Sequence, residues 1–192
     1  MPSEDAVRWN NRYKEAPEKW HSSPRSFLLQ NIDLLPENGR ALDIAMGAGN
    51  NAGELLRRGF DVYGVDISCE AVYLAKGAFP ALKAVIADMT HFFLPDHYFN
   101  VILNFYYLQR DLWSQFQRIL KPGGCIVIET LTQQMRIDRP DISPEFLLAE
   151  GELANAFQDW DILAYREGTY PSDHGFEKSI ASIIARLPIR SY

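Results

Sequence analysis

The chain is poor in cysteine. Cys69 and Cys125 are its only two among 192 residues; they lie far apart and form no Cys-x-x-Cys pair. That usage excludes a disulfide framework and fits thiols in a reducing compartment. The four histidines, His21, His91, His97 and His174, are scattered, with no His-Glu-x-x-His or comparable metal spacing, so no metal is expected. A Gly-x-Ser-x-Gly nucleophile elbow is missing too. No apolar run approaches the ~20 residues of a membrane-spanning helix. The opening Met1-Pro-Ser-Glu-Asp5 is acidic and lacks the apolar stretch of a secretory leader. A cytoplasmic protein is therefore expected, with no membrane partner. Lys and Arg total 19 against 25 Asp and Glu, for a net charge of −6, and no basic tract is visible. Such a surface disfavours nucleic acid as a partner.

What remains is the composition of a globular domain, 47% hydrophobic and 23% charged, long enough to bury a core without staples. Residues 5–16 and 25–35 carry apolar residues at helical spacing. Strand and helix patterns then alternate: strands at 40–45, 61–65, 83–87, 100–105 and 125–131, helices at 50–58, from Ser68 onward and at 108–120. This alternation predicts a mainly parallel sheet with helices on both faces. Pro144 to Phe157 reads as helical. Trp160 to Arg166 and Phe176 to Arg186 read as two strands with no helix between them, hence an antiparallel hairpin. One domain is expected: residues 1–35 as a helical cover, 36–131 as a core and 132–192 as the closing helix and hairpin.

The stretch Ala41-Leu-Asp-Ile-Ala-Met-Gly-Ala-Gly-Asn-Asn-Ala52 carries the chemistry. An apolar strand ends in Gly47 and Gly49, which let a backbone approach a ligand closely and adopt positive φ. A second strand stops at Asp66, nineteen residues beyond Gly47. A glycine turn beside an acid at the end of the next strand is the arrangement that binds a nucleoside cofactor, the acid accepting from ribose hydroxyls. The alternative is an ordinary turn beside a helix-capping acid. Asp43 lies inside the first strand, where a carboxylate is costly without partners. A cationic ligand amine would stabilise it, and so would backbone donors. Trp9, Arg12 and Tyr13 are spaced to share one face of the first helix, as a lid or as plain packing. Asn104, Tyr106 and Tyr107 follow the fourth strand at the carboxyl edge, where open α/β sheets bind ligands; aromatic packing is the other reading.

Five segments, Trp9-Asn-Asn-Arg-Tyr13, Leu42 to Gly49, Gly64-Val-Asp-Ile-Ser68, Ala87-Asp-Met89 and Leu120-Lys-Pro-Gly-Gly124, occur in order and at these spacings. Through them the whole chain resembles the class I S-adenosylmethionine-dependent methyltransferases, and among these the small TehB-like (tellurite-resistance-like) enzymes. The resemblance implies an α/β, three-layer, doubly wound and mainly parallel seven-stranded sheet with a C-terminal antiparallel hairpin, a Rossmann-like methyltransferase fold. It implies S-adenosylmethionine as cofactor, held by Asp43, Ala45, Gly47, Gly49, Asp66, Ile67, Asp88, Met89 and Asn104, with the adenine amino group at Asp88 and a ring nitrogen at the Met89 N–H. It places Tyr13, Arg12 and Tyr106 at the reacting end. The acceptor implied is a small molecule, such as a thiol or an oxyanion of selenium or tellurium, and the assembly a monomer or homodimer. Gln133 to Asp141 replaces a shorter, glycine-containing link of the relatives, beside the acceptor pocket. Two rivals stand: an NAD(P) oxidoreductase, which leaves Asp88 and the hairpin without a purpose, and a protein that binds the cofactor without turnover.

Overall fold

The computed structural model describes residues 3–15, 17–20, 23–171 and 176–189. Seven strands form one sheet: β1 (Arg40–Ile44), β2 (Asp61–Asp66), β3 (Lys83–Ile86), β4 (Phe99–Phe105), β5 (Leu120–Leu131), β6 (Asp161–Pro171) and β7 (Glu177–Arg186). Their spatial order is β3-β2-β1-β4-β5-β7-β6. The first five are parallel, while β7 runs antiparallel between β5 and β6. The doubly wound sheet and its C-terminal hairpin are thus present as the sequence predicts.

The helices are α1 (Glu4–Glu15), α2 (Ser26–Gln30), α3 (Asn50–Arg57), α4 (Cys69–Ala78), α5 (Asp111–Ile119) and α6 (Glu152–Ala156). Two apolar cores flank the sheet. One joins α2, α3 and α4 to Ala41, Val62, Val101 and Leu103. The other joins α5 and Leu153 of α6 to Leu42, Ile44, Val65 and Ile102. Alternate strand residues serve opposite cores, as the pleat dictates. Cys125 lies buried in the first of these cores, and both cysteines are free.

Local chemistry sets most boundaries. Ser68 caps α4, its Oγ accepting from the Ala71 N–H at 3.2 Å. Gly59, at φ +86°, closes the turn after α3. The single helix read at 25–35 is instead α2 followed by a 3₁₀ turn at Ile32–Leu34. The helix read at 144–157 is also corrected. Its apolar spacing is helical, but Gly151 sits at φ +69° and Leu147 is extended, so only a 3₁₀ turn (Pro144–Phe146) and α6 form. The first strand of the hairpin runs longer than read, to Pro171, while the second starts one residue later than read, at Glu177, and ends at Arg186 as read.

Candidate cofactor site

The β1–α3 turn is a cradle of left-handed backbone. Gly47 (φ +57°) and Gly49 (φ +77°) take it as glycines, and Ala45 takes it at φ +52° despite its Cβ. The turn is braced from beneath. The Met46 N–H donates to the Val65 carbonyl at 3.1 Å. The Met46 side chain fills the space over Gly64, whose absent Cβ would lie 2.1 Å from Sδ. That neighbour explains a glycine inside β2.

Two buried acids face this turn. Asp66 accepts from the Gly47 N–H and the Ser68 N–H, each at 2.8 Å. Burial raises its pKa against the lowering effect of these donors. Asp43 is 1% exposed and accepts from the Ala52 N–H in the first turn of α3 at 3.1 Å. Burial, helped by the Asp66 charge and opposed by that hydrogen bond, pushes its pKa to about 8. Each acid therefore does the backbone task foreseen as the alternative reading, and each keeps lone pairs for a ligand.

α1 lies across the turn as a cover. Tyr13 is buried, with its hydroxyl 2.6 Å from where a Cβ on Gly47 would stand. Burial, and next the Asp66 charge, raises its pKa far above the usual phenol range, so it stays protonated. The cover is fastened at several points. Asn10 Oδ1 accepts from Ser68 Oγ at 2.8 Å, Lys14 pairs with Glu70 at 3.3 Å, and Tyr13 packs on Trp20 with ring centroids 4.3 Å apart. Arg12 does not join Tyr13 beneath the helix. It is exposed and stacks over Trp9 at 4.9 Å. The expectation that Trp9, Arg12 and Tyr13 share one face is corrected for Arg12 against Tyr13, because residues one apart on a helix point about 100° apart.

At the other end of the cradle, Asp88 follows β3. Its Oδ1 accepts from the Thr90 N–H at 2.9 Å and the Thr90 hydroxyl at 2.7 Å, which lowers its pKa. Tyr107 is close enough to be influenced by Asp88 and Asp5, and burial pushes its pKa to about 12. Met89 is buried in the core and Ile67 half-buried beside Asp66. At the end of β4, Asn104 is 1% exposed, and among the described residues neither its Nδ2 nor its Oδ1 has a hydrogen-bond partner. An orphaned buried amide is costly and marks a place where a polar ligand group or water is needed. The residues therefore fit a nucleoside cofactor: an unpartnered amide, two buried carboxylates, glycine backbone and a closable cover converge at the carboxyl ends of β1, β2 and β4.

Beyond β4 the wall becomes aromatic and cationic. Tyr106 holds φ +58° and donates to Glu129 Oε1 at 3.1 Å. Glu129, 3% exposed inside β5, also accepts from Ser182 Oγ at 2.8 Å and Arg166 Nη2 at 3.1 Å. The Arg25 guanidinium and the Lys178 ammonium lie 4.7 and 4.5 Å from the Tyr106 ring centroid. Arg25, Glu129, Arg166 and Lys178 escape sequence reading, and Asn10 enters it only within Trp9-Asn-Asn-Arg-Tyr13, with no role assigned. Only Glu129 carries a local signal, an acid inside an apolar strand. Among the described residues no group of His, Cys, Asp or Glu could hold a metal ion, and no helix is long and apolar enough to cross a membrane. His21 and His174 lie outside the described residues.

Comparison with known proteins agrees with this geometry. Residues 42–128 match a family described as a methyltransferase domain. YqeM of Bacillus subtilis (strain 168), named as a methyltransferase, is 28% identical over 139 residues, which cover 66% of this chain and 51% of that protein. The chain thus spans about half the length of this curated relative. A SAM-dependent methyltransferase from Methanosarcina mazei superposes with a TM-score of 0.70 at 20% identity, covering 84% of this chain and 98% of the other. TehB from Haemophilus influenzae gives 0.71 at 16% identity, covering 93% and 67%. The fold is therefore shared with S-adenosylmethionine-dependent methyltransferases of known structure, and the stretch that holds the cradle is similar to a methyltransferase domain.

Proposed function

We propose that this chain transfers a methyl group from S-adenosylmethionine to a small, anionic or soft nucleophilic acceptor. The observation that carries the reading is the convergence of Asp43, Gly47, Asp66 and the orphaned Asn104 amide under the α1 cover. Asp66 would take the ribose hydroxyls on its remaining lone pairs. Asp43 would face the amine of the methionine moiety, with the Asn104 amide as a further polar contact. Asp88 and Met89 would border the adenine. When bound, the cofactor supplies an electrophilic methyl on a sulfonium, displaced in line.

The chain's own part is alignment and exclusion of water, which can supply on the order of 10⁵-fold or more in effective molarity. Tyr13, under α1, would close the reacting end and stay protonated, so it orients and does not abstract a proton. Tyr106 is held by Glu129 at a strained backbone position, the kind of local strain that accompanies functional sites. With the Arg25 and Lys178 cations against its ring, it offers an aromatic wall to the acceptor. That wall supports an anion, an oxyanion of selenium or tellurium or a thiolate, which attacks without a general base. Cys125 is buried in β5, and Cys69, at the start of α4, donates its thiol to Asn10 Oδ1 of the cover at 3.4 Å.

The test is calorimetric titration with S-adenosylhomocysteine, with NADH as control, followed by labelled methyl transfer to selenite, tellurite and small thiols. Micromolar binding of the first compound alone, with turnover on one acceptor class, is expected. Binding of NADH in its place would overturn the cofactor assignment. Cofactor binding without any turnover would leave a binding protein and overturn the enzymatic reading.

A further inference from the structure

A second concavity lies away from the cradle, on the sheet face that carries Leu42 and Val65. The β3–β4 connection, residues 87–98, contains no helix. In place of a helix, the segment around Phe92–Pro95 lies over this part of the sheet. Between roof and sheet is a cleft of about 380 Å³, walled by Tyr63, Val85, Phe92, Phe93, Leu94 and Tyr98. None of these six belongs to the cofactor site. The wall leaves large apolar groups in solvent: Phe93 is 79% exposed and Val85 39%. The volume falls at the small end of the ~300–1,000 Å³ range of ligand pockets.

The cleft has one polar end. In the parallel register Leu42 pairs with Tyr63 and Tyr63 with Lys83, so these side chains share a face, with Arg40 two residues before Leu42 on the same side. The Tyr63 and Tyr98 hydroxyls are 3.0 Å apart, and Lys83 Nζ is 3.3 Å from the former. The Arg40 guanidinium lies 4.3 Å from the Tyr98 ring centroid. Asp61 is the acid at this rim, and it is engaged by Lys83 at 2.7 Å. Among the described residues no carboxylate forms an ion pair with Arg40. The rim therefore carries a net positive charge beside hydroxyl donors, over an apolar interior.

We propose that this cleft binds a small amphipathic anion, an apolar body of medium-chain length ending in a carboxylate. The chain enters between Phe93 and Val85, and the carboxylate meets Arg40 and the tyrosine hydroxyls. Charge selects the sign of the ligand, because a cation of the same shape would meet Arg40 and Lys83 unfavourably. Chain length is limited by the volume and by the sheet that forms the floor.

Calorimetric titration with octanoate, octanol and octylammonium tests this, repeated with S-adenosylhomocysteine present. Octanoate should bind at least about tenfold more tightly than octylammonium, since a hydrogen-bonded charge contributes on that order. S-adenosylhomocysteine should not compete. Arg40→Gln should weaken octanoate about tenfold and leave octanol unchanged. Val85→Trp should fill the cleft and abolish binding of both. Phe93→Ala, at an exposed position with little bearing on folding, should weaken both and covers the case in which the tryptophan variant does not fold. Equal binding of octanoate and octylammonium, no octanoate binding, or octanoate binding untouched by Val85→Trp and Phe93→Ala would each overturn the proposal.

Discussion

Replacing Asp43 with asparagine should change the shape of the protein's stability against pH. Asp43 is enclosed on β1, with one backbone donor and the Asp66 charge nearby, and its pKa rises from 3.8 to about 8. The sign follows from linkage. Between these two values the unfolded carboxyl has lost its proton while the folded one keeps it, so unfolding releases a proton. Stability then falls as pH rises, by about 1.4 kcal/mol per pH unit for one full proton. The loss begins near the unfolded value and levels off above about pH 8. The substituted amide has no proton to lose. Its oxygen can still accept from the Ala52 N–H, so the α3 cap survives. Any cost of seating the amide nitrogen, about 1–3 kcal/mol if it finds no partner, is independent of pH. An offset in the variant's absolute stability therefore leaves the slope untouched.

Urea unfolding followed by tryptophan fluorescence at several values between about pH 5 and about pH 8 reads the difference. The variant should gain on the wild type throughout this window, by up to about 1.4 kcal/mol per unit. Parallel profiles would refute the reasoning, showing that Asp43 is ionised in the folded protein. The same linkage reaches ligand binding. An ammonium beside Asp43 favours its ionised form, so S-adenosylhomocysteine should release a proton on binding near neutral pH. Calorimetry in buffers of different ionisation enthalpy would measure that proton, and it should vanish in Asp43→Asn.

Asp66→Ala removes the acceptor of two backbone donors and of the proposed ribose contact; S-adenosylhomocysteine affinity should fall by about 1.5–3 kcal/mol, and unchanged calorimetric affinity would remove Asp66 from the site. Ala45→Gly relieves a left-handed alanine, so chemical denaturation should show a gain of up to about 1 kcal/mol, the strain relieved less the glycine entropy; a loss would mean that the Ala45 methyl packs productively. Gly64→Ala sets a methyl against the Met46 sulfur and should cost about 1–3 kcal/mol, with partial recovery in the Met46→Ala background; no recovery would place the strain elsewhere. Glu129→Gln should lower turnover on the acceptor more than it lowers S-adenosylhomocysteine affinity, because it loosens Tyr106 and leaves the cradle alone; an equal loss in both would refute that division.

What the sequence reveals about this site depends on how local each cost is. Gly47 and Gly49 stand out because a turn of positive φ favours glycine, and Asp43 and Asp66 because carboxylates in apolar strands demand partners. Those signals lie within a few residues of their causes. Ala45 shows the limit of such reading: it takes the same left-handed backbone with no glycine to announce it, and only the hydrogen bond from Met46 to Val65 on the next strand accounts for it. The 144–157 segment shows another. Its apolar spacing describes a helix, yet Thr132 bridges to Leu148 and draws that stretch into extended backbone.

The proposed acceptor wall lies farther still from local reading. Glu129 has the same outward mark as Asp43, an acid inside an apolar strand. Its partners Arg166 and Ser182 are 37 and 53 residues away, and they reach it only because β7 inserts between β5 and β6. Arg25 meets Tyr106 from the segment before α2, and Lys178 meets it from β7. The turn and its two acids, Asp43, Gly47 and Asp66, are thus encoded in one β-α-β stretch with local costs, while Asp88, Met89 and Asn104 join them from the ends of β3 and β4. The proposed acceptor half, around Tyr106 and Glu129, is assembled by strand order across the sheet. On the proposed function, a substitution in the hairpin should therefore change which acceptor is taken while the cradle stays as it is.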